Sequence, residues 1–315
     1  MAQMFVLSQN HTDLALGEIK ALLDTDSIKL YDYIAISDSN KQLNNRLAYT
    51  RFFYKFLFHC KESELTSKIR SFDWNKYYKY SFCIRKFGET KLSEREIADI
   101  VWAKLENPSV DLTNPTTEFH FYFTTKGILV GLLTSAGRKD FKERIPSERP
   151  NTFPSTMTPR FSACLVNLSG ITSGSVYDPM CGTGCILLEA AQMGFKIIGS
   201  DIDQVLLKMC RENLAHFEFK GDIFIQDATK IKKKYQYIIT DLPYGMHTKQ
   251  ATELKKLYSS FLANLKKILR TRAVIIFPNF IRHKPLIKKA GLKLKEEYSY
   301  YLHKSLSRTV CVLEP

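Results

Sequence analysis

The chain has 315 residues, of which 44% are hydrophobic and 25% charged, a composition that excludes disordered, collagenous and coiled-coil proteins. Its 46 Lys+Arg against 32 Asp+Glu give a formal charge of +14, split as 22 basic and 19 acidic side chains in residues 1–150 and 24 and 13 in residues 151–315. Such an excess favours polyanionic partners, because each neutralised phosphate releases counterions. Apolar runs stop well short of the ~20 residues that span a bilayer, and the start, MAQMFVLSQNH, is not a secretory signal. Seven cysteines without a C-x-x-C pair, and seven histidines without ligand spacing, predict no metal site and a reducing, cytoplasmic compartment.

In chain order, residues 4–7 read as a strand and Leu14 to Leu23 as a helix. Phe82 and Ile84, and later Phe119, Phe121 and Phe123, alternate with other residues as in half-buried strands. Ser93-Glu94-Arg95-Glu96 between them is a capping box, with Ile97, Ile100, Val101 and Leu105 as the apolar stripe of the helix it opens. Pro146, Pro150, Pro154 and Pro159 then mark a linker that continues neither a helix nor a central strand.

After the linker, strands and helices alternate. The strands are 176–177, 197–199, 223–225, 237–239 and 274–277, and the helical stretches are 185–193, 204–216 and 252–269. Strands that are apolar throughout predict a parallel sheet covered by helices on both faces. Residues 298–302 and 308–313 predict a closing antiparallel hairpin at the sheet edge. The expected fold class is therefore α/β: a doubly wound, mostly parallel sheet with an antiparallel edge hairpin, preceded by an α+β module.

Asp178-Pro179-Met180-Cys181-Gly182-Thr183-Gly184 lies between a predicted strand and helix, where glycines let a ligand approach the backbone. Asp201 ends the next strand, at the place where a carboxylate binds a ribose hydroxyl, so the site predicts an adenosine-bearing cofactor. Leu187 stands where a dinucleotide site has its third glycine, and the anionic Asp178 is a poor neighbour for a pyrophosphate. It suits the ammonium and sulfonium of S-adenosylmethionine. Asp227 and Ala228 follow the third strand, where Asp227 can meet the adenine amine.

Thr240-Asp241-Leu242-Pro243-Tyr244-Gly245 ends the fourth strand and faces the same crevice. An exocyclic amine is a weak nucleophile, its lone pair delocalised into the ring. Accepting its N–H groups on the Asp241 carboxylate and the Leu242 carbonyl aims that lone pair at a methyl group, by positioning and electrostatics. Pro243 restricts Leu242 to an extended conformation, and Tyr244 offers a ring for an extruded base.

In this order, DPMCGTG, SDID, QDA and TDLPYG resemble the class I S-adenosylmethionine-dependent methyltransferases that modify exocyclic amines. Val110-Asp111-Leu112-x-Asn114-Pro115 with Phe119, then Arg138-x-x-Phe141, Arg144 and Arg149-Pro150, resemble the end of a THUMP domain. Pro154 to Pro159 and Val166-Asn167-Leu168 resemble the lead-in to the first methyltransferase strand, although Phe153 stands where relatives often carry histidine. Together these resemble the archaeal-type tRNA (guanine-10-N2)-methyltransferases. The resemblance implies a ferredoxin-like segment at 1–50, a THUMP domain at 51–145, a linker at 146–160 and a methyltransferase domain at 161–315. It implies S-adenosylmethionine held by Asp178, Cys181, Gly182, Thr183, Gly184, Asp201, Ile202, Asp227 and Ala228. Asp241 would orient the amine and help remove its proton. The implied partner is tRNA, with no DNA expected; some relatives require a small zinc-binding activator subunit, and the apolar edge strands could dock one.

Arg85, Lys86, Arg138, Lys139, Lys142, Arg144 and Arg149 are candidate phosphate contacts, whereas Lys232-Lys233-Lys234 reads as a solvated turn. Cys181 and Cys185 lack a histidine partner and read as packing residues. The same chemistry at tRNA position 6 or on ribosomal RNA shares these motifs, and an RNA-binding scaffold without catalysis would retain the charge. DNA adenine methylation would need a target-recognition domain, and protein glutamine methylation usually begins its motif with Asn rather than Asp241.

Overall fold

The computed structural model describes residues 2–43, 45–153, 156–244, 251–303 and 306–315. Gly245 of the predicted amine motif, and Pro154 and Ser155 of the lead-in, lie outside the described residues. The chain packs as two compact units, one of residues 1–12, 25–45 and 49–137, the other of 13–24, 46–48 and 138–315.

The first unit contains β1 (Gln3–Leu7), β2 (Lys29–Tyr31), β3 (Ile34–Ser37) and β4 (Thr50–Cys60), while helix α1 (Thr12–Leu23) falls almost wholly to the second. It continues through α2 (Leu65–Ser71), β5 (Phe82–Phe87), α3 (Glu94–Trp102), β6 (Thr117–Thr124) and β7 (Gly127–Ala136). Its seven strands form one sheet in the order β2-β3-β1-β4-β7-β6-β5, in which β5 and β6 alone run parallel, Ile84 opposite Phe119. Ser93 caps α3 as its sequence predicts, accepting from Glu96 N at 3.2 Å while the Glu96 carboxylate accepts from Ser93 N at 2.7 Å. On one face Trp74, Phe82, Phe119 and Phe121 are fully buried with Ile97 and Val101 of α3. Each such side chain is worth about 1.5–3 kcal/mol on burial. Trp74 satisfies its indole N–H on the Ile69 carbonyl at 2.8 Å.

The second unit follows with α4 (Pro159–Leu168), β8 (Ser175–Asp178), α5 (Cys185–Gln192), β9 (Lys196–Asp201), α6 (Gln204–His216), β10 (Asp222–Ile225) and β11 (Tyr235–Asp241). It closes with α7 (Ala251–Ile268), β12 (Leu269–Pro278), α8 (His283–Lys289), β13 (Lys293–His303) and β14 (Leu306–Glu314). The sheet order is β10-β9-β8-β11-β12-β14-β13, parallel from β10 to β12 and antiparallel at the two last strands. This is the α/β class with an edge hairpin that the alternation predicts. The chain runs outward from β8 to β10, then returns to β11 on the other side of β8. That reversal opens a crevice at the carboxyl ends of β8 and β11.

Helix α4 carries no sequence prediction. Thr158 caps α4 and Pro159 opens it, yet every residue from 159 to 168 except Arg160 is buried, so no polar stripe betrays the helix. Helix α1 and residues 46–48 are laced to α4 through polar groups. Buried Glu18 accepts from Ala48 N at 2.9 Å, and Asn167 accepts from the Arg46 guanidinium at 3.0 Å while donating to the Arg46 carbonyl at 2.8 Å. No described helix is long and apolar enough to cross a membrane.

Candidate active site

The glycine loop runs from the end of β8 into α5. Gly182 has φ +50° and Gly184 φ +88°, both in the region that only glycine enters freely. The two glycines serve different ends. A side chain at Gly184 would strike Cys210 Sγ at 2.7 Å, whereas one at Gly182 would meet nothing within 4 Å. Gly184 thus allows α6 to pack against the loop, and Gly182 presents bare backbone to open space where a ligand can lie.

Asp201, at the end of β9, ties this loop down. Its Oδ2 accepts from Gly182 N at 3.0 Å and its Oδ1 from Asp203 N at 3.0 Å. Ile202 beside it is 73% exposed, an apolar side chain with no core to join. Asp227 caps the turn after β10, its Oδ1 accepting from Thr229 N at 2.9 Å and its Oδ2 facing Lys230 Nζ at 3.1 Å. Those contacts, the Thr229 hydroxyl first, hold its carboxyl below the usual range. Ala228 is buried behind it. Asp227 therefore enters the crevice with both oxygens already engaged.

Asp178 is buried at the end of β8. Its Oδ1 accepts from Thr240 Oγ1 at 2.7 Å and from Met180 N at 3.2 Å, so β8 and β11 are joined at the crevice. Both donors are neutral. Burial pushes the carboxyl up to about 7 against those hydrogen bonds, and the charges of Asp201 and Asp241 add to the rise. A buried carboxylate in this state is complementary to a cation, and with the open face of Gly182 it fits a cationic, adenosine-bearing ligand.

Asp241 ends β11. Burial raises its carboxyl to about 6, opposed chiefly by the charge of Arg308. Arg308 Nη2 lies 3.3 Å from Asp241 Oδ2, and Tyr244 donates its hydroxyl to Asp241 Oδ1 at 2.5 Å. Leu242, 1% exposed, is pinned by its N–H on the Ile276 carbonyl at 3.2 Å, and the Pro243 carbonyl accepts from the Tyr258 hydroxyl. The predicted strand-end residues thus converge on one crevice. Arg308 joins them without any motif of its own, because only the pairing of β14 beside β12 brings it there.

The basic candidates separate. Arg85 and Lys86 belong to the first unit, the other five to the second. Lys139 and Lys142 are exposed, and Arg85 donates to the Leu112 carbonyl at 3.0 Å. Arg138, Arg144 and Arg149 require correction as phosphate contacts. Arg144 is 2% exposed and pairs with the fully buried Glu189 at 2.8 Å and with Asp140 at 2.8 Å. Arg138 pairs with Asp140 at 2.7 Å, and Arg149 is buried against the Arg144 carbonyl and Cys185 Sγ. Arg144, with Arg138 at 3.9 Å, serves the buried carboxylate of α5, a partner that their own stretch of sequence does not reveal.

Cys181 and Cys185 are buried, as is Thr183, whose carbonyl accepts from Asn213 at 3.0 Å. The Cys181 thiol, hydrogen-bonded to Cys210 and buried, is held far above the ordinary thiol range and is not a nucleophile. Away from the crevice, the fold gathers His283, Glu297 and Cys311 with ligand atoms within 4.8 Å of one another, although the histidines show no ligand spacing in sequence. Lys284 already neutralises Glu297 there at 3.0 Å.

Known proteins resemble this chain. The family described as RMKL-like, methyltransferase domain, matches residues 146–308. The tRNA (guanine(10)-N2)-dimethyltransferase of Methanothermobacter thermautotrophicus is 32% identical over 100% of this chain and 99% of its own length. The enzyme of the same name from Pyrococcus abyssi is 29% identical over 96% of each. The crystal structure of TrmN from Thermus thermophilus, 20% identical, covers 100% of this chain and 99% of its own at a TM-score of 0.51. A strand-end crevice of this form, with full-length similarity at this level, makes the chain a member of the tRNA (guanine(10)-N2)-dimethyltransferase family.

Proposed function

We propose that this chain transfers a methyl group from S-adenosylmethionine to the exocyclic N2 of a guanine in tRNA, at position 10. The observation that carries the reading is the Asp241 carboxylate at the end of β11, one strand from the glycine loop and joined to it through Thr240 and Asp178. The relatives named above act at that guanine by their names.

Gly182, Asp178 and Asp201 would hold the cofactor, with Ile202 and Ala228 offering apolar surface to its adenine. When bound, S-adenosylmethionine supplies an electrophilic methyl carbon. Asp241 accepts an N–H of the guanine amine and aims the nitrogen lone pair. As the new N–C bond formed and the sulfonium–methyl bond broke to leave a neutral thioether, the amine proton would pass to Asp241. A carboxyl near about 6 gives it up to water again at neutral pH. Tyr244 presents its ring to the base.

The first unit serves, in this reading, as a ferredoxin-like and THUMP module that grips tRNA in the cytoplasm through Arg85 and Lys86; Lys139 and Lys142 are exposed candidates of the second unit. A small zinc-binding activator subunit belongs to the same proposal. The outer strand β10 ends in Ile225, 55% exposed, and Val205 is exposed after the neighbouring β9. Such an apolar edge suits strand-on-edge docking.

The test is methyl transfer from labelled S-adenosylmethionine to an unmodified tRNA transcript, with the product nucleoside mapped. N2-methylated guanine at position 10 is expected, and the ratio of mono- to dimethyl product defines the number of transfers. Product at position 6 or on ribosomal RNA overturns the assigned position. Binding of tRNA and cofactor without transfer, even after a zinc-binding activator is added, overturns the enzymatic reading in favour of an RNA-binding scaffold.

A further inference from the structure

Arg308 is held from every side. It is 4% exposed on β14, opposite Pro278 of β12 and Tyr300 of β13. Its guanidinium lies over the rings of Phe161 and Tyr244, at 5.8 and 5.9 Å from their centroids, and the Phe161 ring is itself stacked on Tyr300 at 3.9 Å. Its Nη2 reaches Asp241 Oδ2, its Nε donates to the Tyr244 hydroxyl at 3.1 Å, and that hydroxyl donates in turn to Asp241 Oδ1. A planar fork pinned between two rings and two acceptors is a preorganised cation.

We propose that Arg308 is a positioning residue for amine methylation: it fixes the Asp241 carboxylate as an acceptor while Tyr244 acts as the exchangeable cap on Oδ1. The proposal rests on the guanine-N2 reading. An ionised carboxylate accepts on both oxygens and can take the amine proton, whereas a protonated one turns one oxygen into a donor and cannot. Asp241 is half-buried and desolvation opposes its ionisation, its charge in turn raises Asp178 of β8, and among the described residues the phenols of Tyr244, Tyr258 of α7 and Tyr300 of β13 also face the cluster. Arg308 supplies the countercharge. Each Asp241 oxygen already has one partner and keeps a second lone pair, so an arriving amine can share Oδ1 with the Tyr244 hydroxyl or displace it. Arg308 is fixed in a strand paired on both sides, whereas Tyr244 lies beyond the end of β11, so any exchange falls to Tyr244.

Arg308→Met is expected to lower kcat for tRNA methylation by about 10²-fold, with cofactor affinity unchanged. The acid limb of kcat/KM should move to higher pH by about one to three pH units. Arg308→Lys keeps the charge without the fork, so it should restore the position of the limb but not the full rate. Carbon-13 NMR titration of the Asp241 carboxyl, assigned by its loss in Asp241→Asn, reads the same displacement without turnover. An Arg308→Met protein that binds cofactor but titrates Asp241 where the wild type does overturns the role. If Arg308→Met does not fold, Arg308→Lys decides, and a wild-type kcat in it is equally fatal. A wild-type protein that methylates no tRNA guanine, with the NMR displacement present, sinks the guanine reading and leaves the control of Asp241 standing.

Discussion

Two clusters of buried charge in the second unit are built from the same residue types and come out differently. Behind α5, Glu189 and Asp140 face Arg138 and Arg144 at 2.7–2.8 Å, two carboxylates with two guanidiniums; the half-buried Asp140 carboxyl is held at about 2, while burial still raises that of Glu189 against both guanidiniums. At the crevice Arg308 pairs with Asp241, Asp178 accepts from neutral donors, and the carboxyls of Asp178 and Asp241 are raised to about 7 and about 6. The first cluster is balanced from within and needs no ligand. The second is short of positive charge in a place where a cationic cofactor would supply it. Full compensation marks a structural pair and incomplete compensation marks a binding site, although both look like scattered Asp, Glu and Arg in sequence.

The contrast can be broken from either side. The largest effect is expected at the crevice: Asp241→Ala should cut methyl transfer by about 10³-fold or more while cofactor and tRNA still bind, read by single-turnover kinetics beside binding titrations. Loss of both bindings would make Asp241 structural. At the other cluster, Arg144→Met should cost about 3–5 kcal/mol in denaturant unfolding, because Glu189 is left buried and unpaired. The double variant Arg144→Met/Glu189→Leu should recover most of that loss, and failure to recover would show that the pair does more than neutralise itself.

Smaller effects sharpen the comparison. Asp201→Ala should weaken cofactor binding by about 1.5–3 kcal/mol, the worth of a hydrogen bond to a charged group, measured by calorimetry. An unchanged affinity removes Asp201 from the site. Asp178 gives a pH signature whose sign follows from its raised carboxyl. At pH 6 it is largely protonated in the free protein, and a bound cation lowers its pKa, so binding releases close to one proton and affinity rises with pH. Release fades above about pH 8, where the free carboxyl is already ionised. Calorimetry in buffers of different ionisation enthalpy measures it, and Asp178→Asn should abolish it.

What the sequence discloses depends on how local the chemistry is. The glycine loop and the carboxylates at 178, 201, 227 and 241 are legible because each sits where a short apolar strand stops, and strand ends in a doubly wound sheet share one crevice. The different duties of Gly182 and Gly184 are not legible, since they depend on Cys210 in α6. Arg308 is invisible for a related reason: it stands 64 residues beyond Tyr244 and gains its meaning only from the order β11-β12-β14. Helix α4 hides by being buried all round, which removes the periodicity that reveals α3. Arg144 and Arg149 look like phosphate ligands because a basic cluster in sequence says nothing of an acid 45 residues away.

The lacing of α1 to α4 also bears on how the protein folds. Glu18 and Asn167 meet across 149 residues, and nearly all of the first unit lies in the chain between them. The second unit is therefore discontinuous, and completing it means closing a loop that contains another sheet. Closure entropy grows only with the logarithm of loop length, but an ordered insert shortens the flexible part to be closed. Folding of the first unit before the second is the kinetically favoured order, and a fragment starting at residue 138 would leave α4 without the helix that covers it.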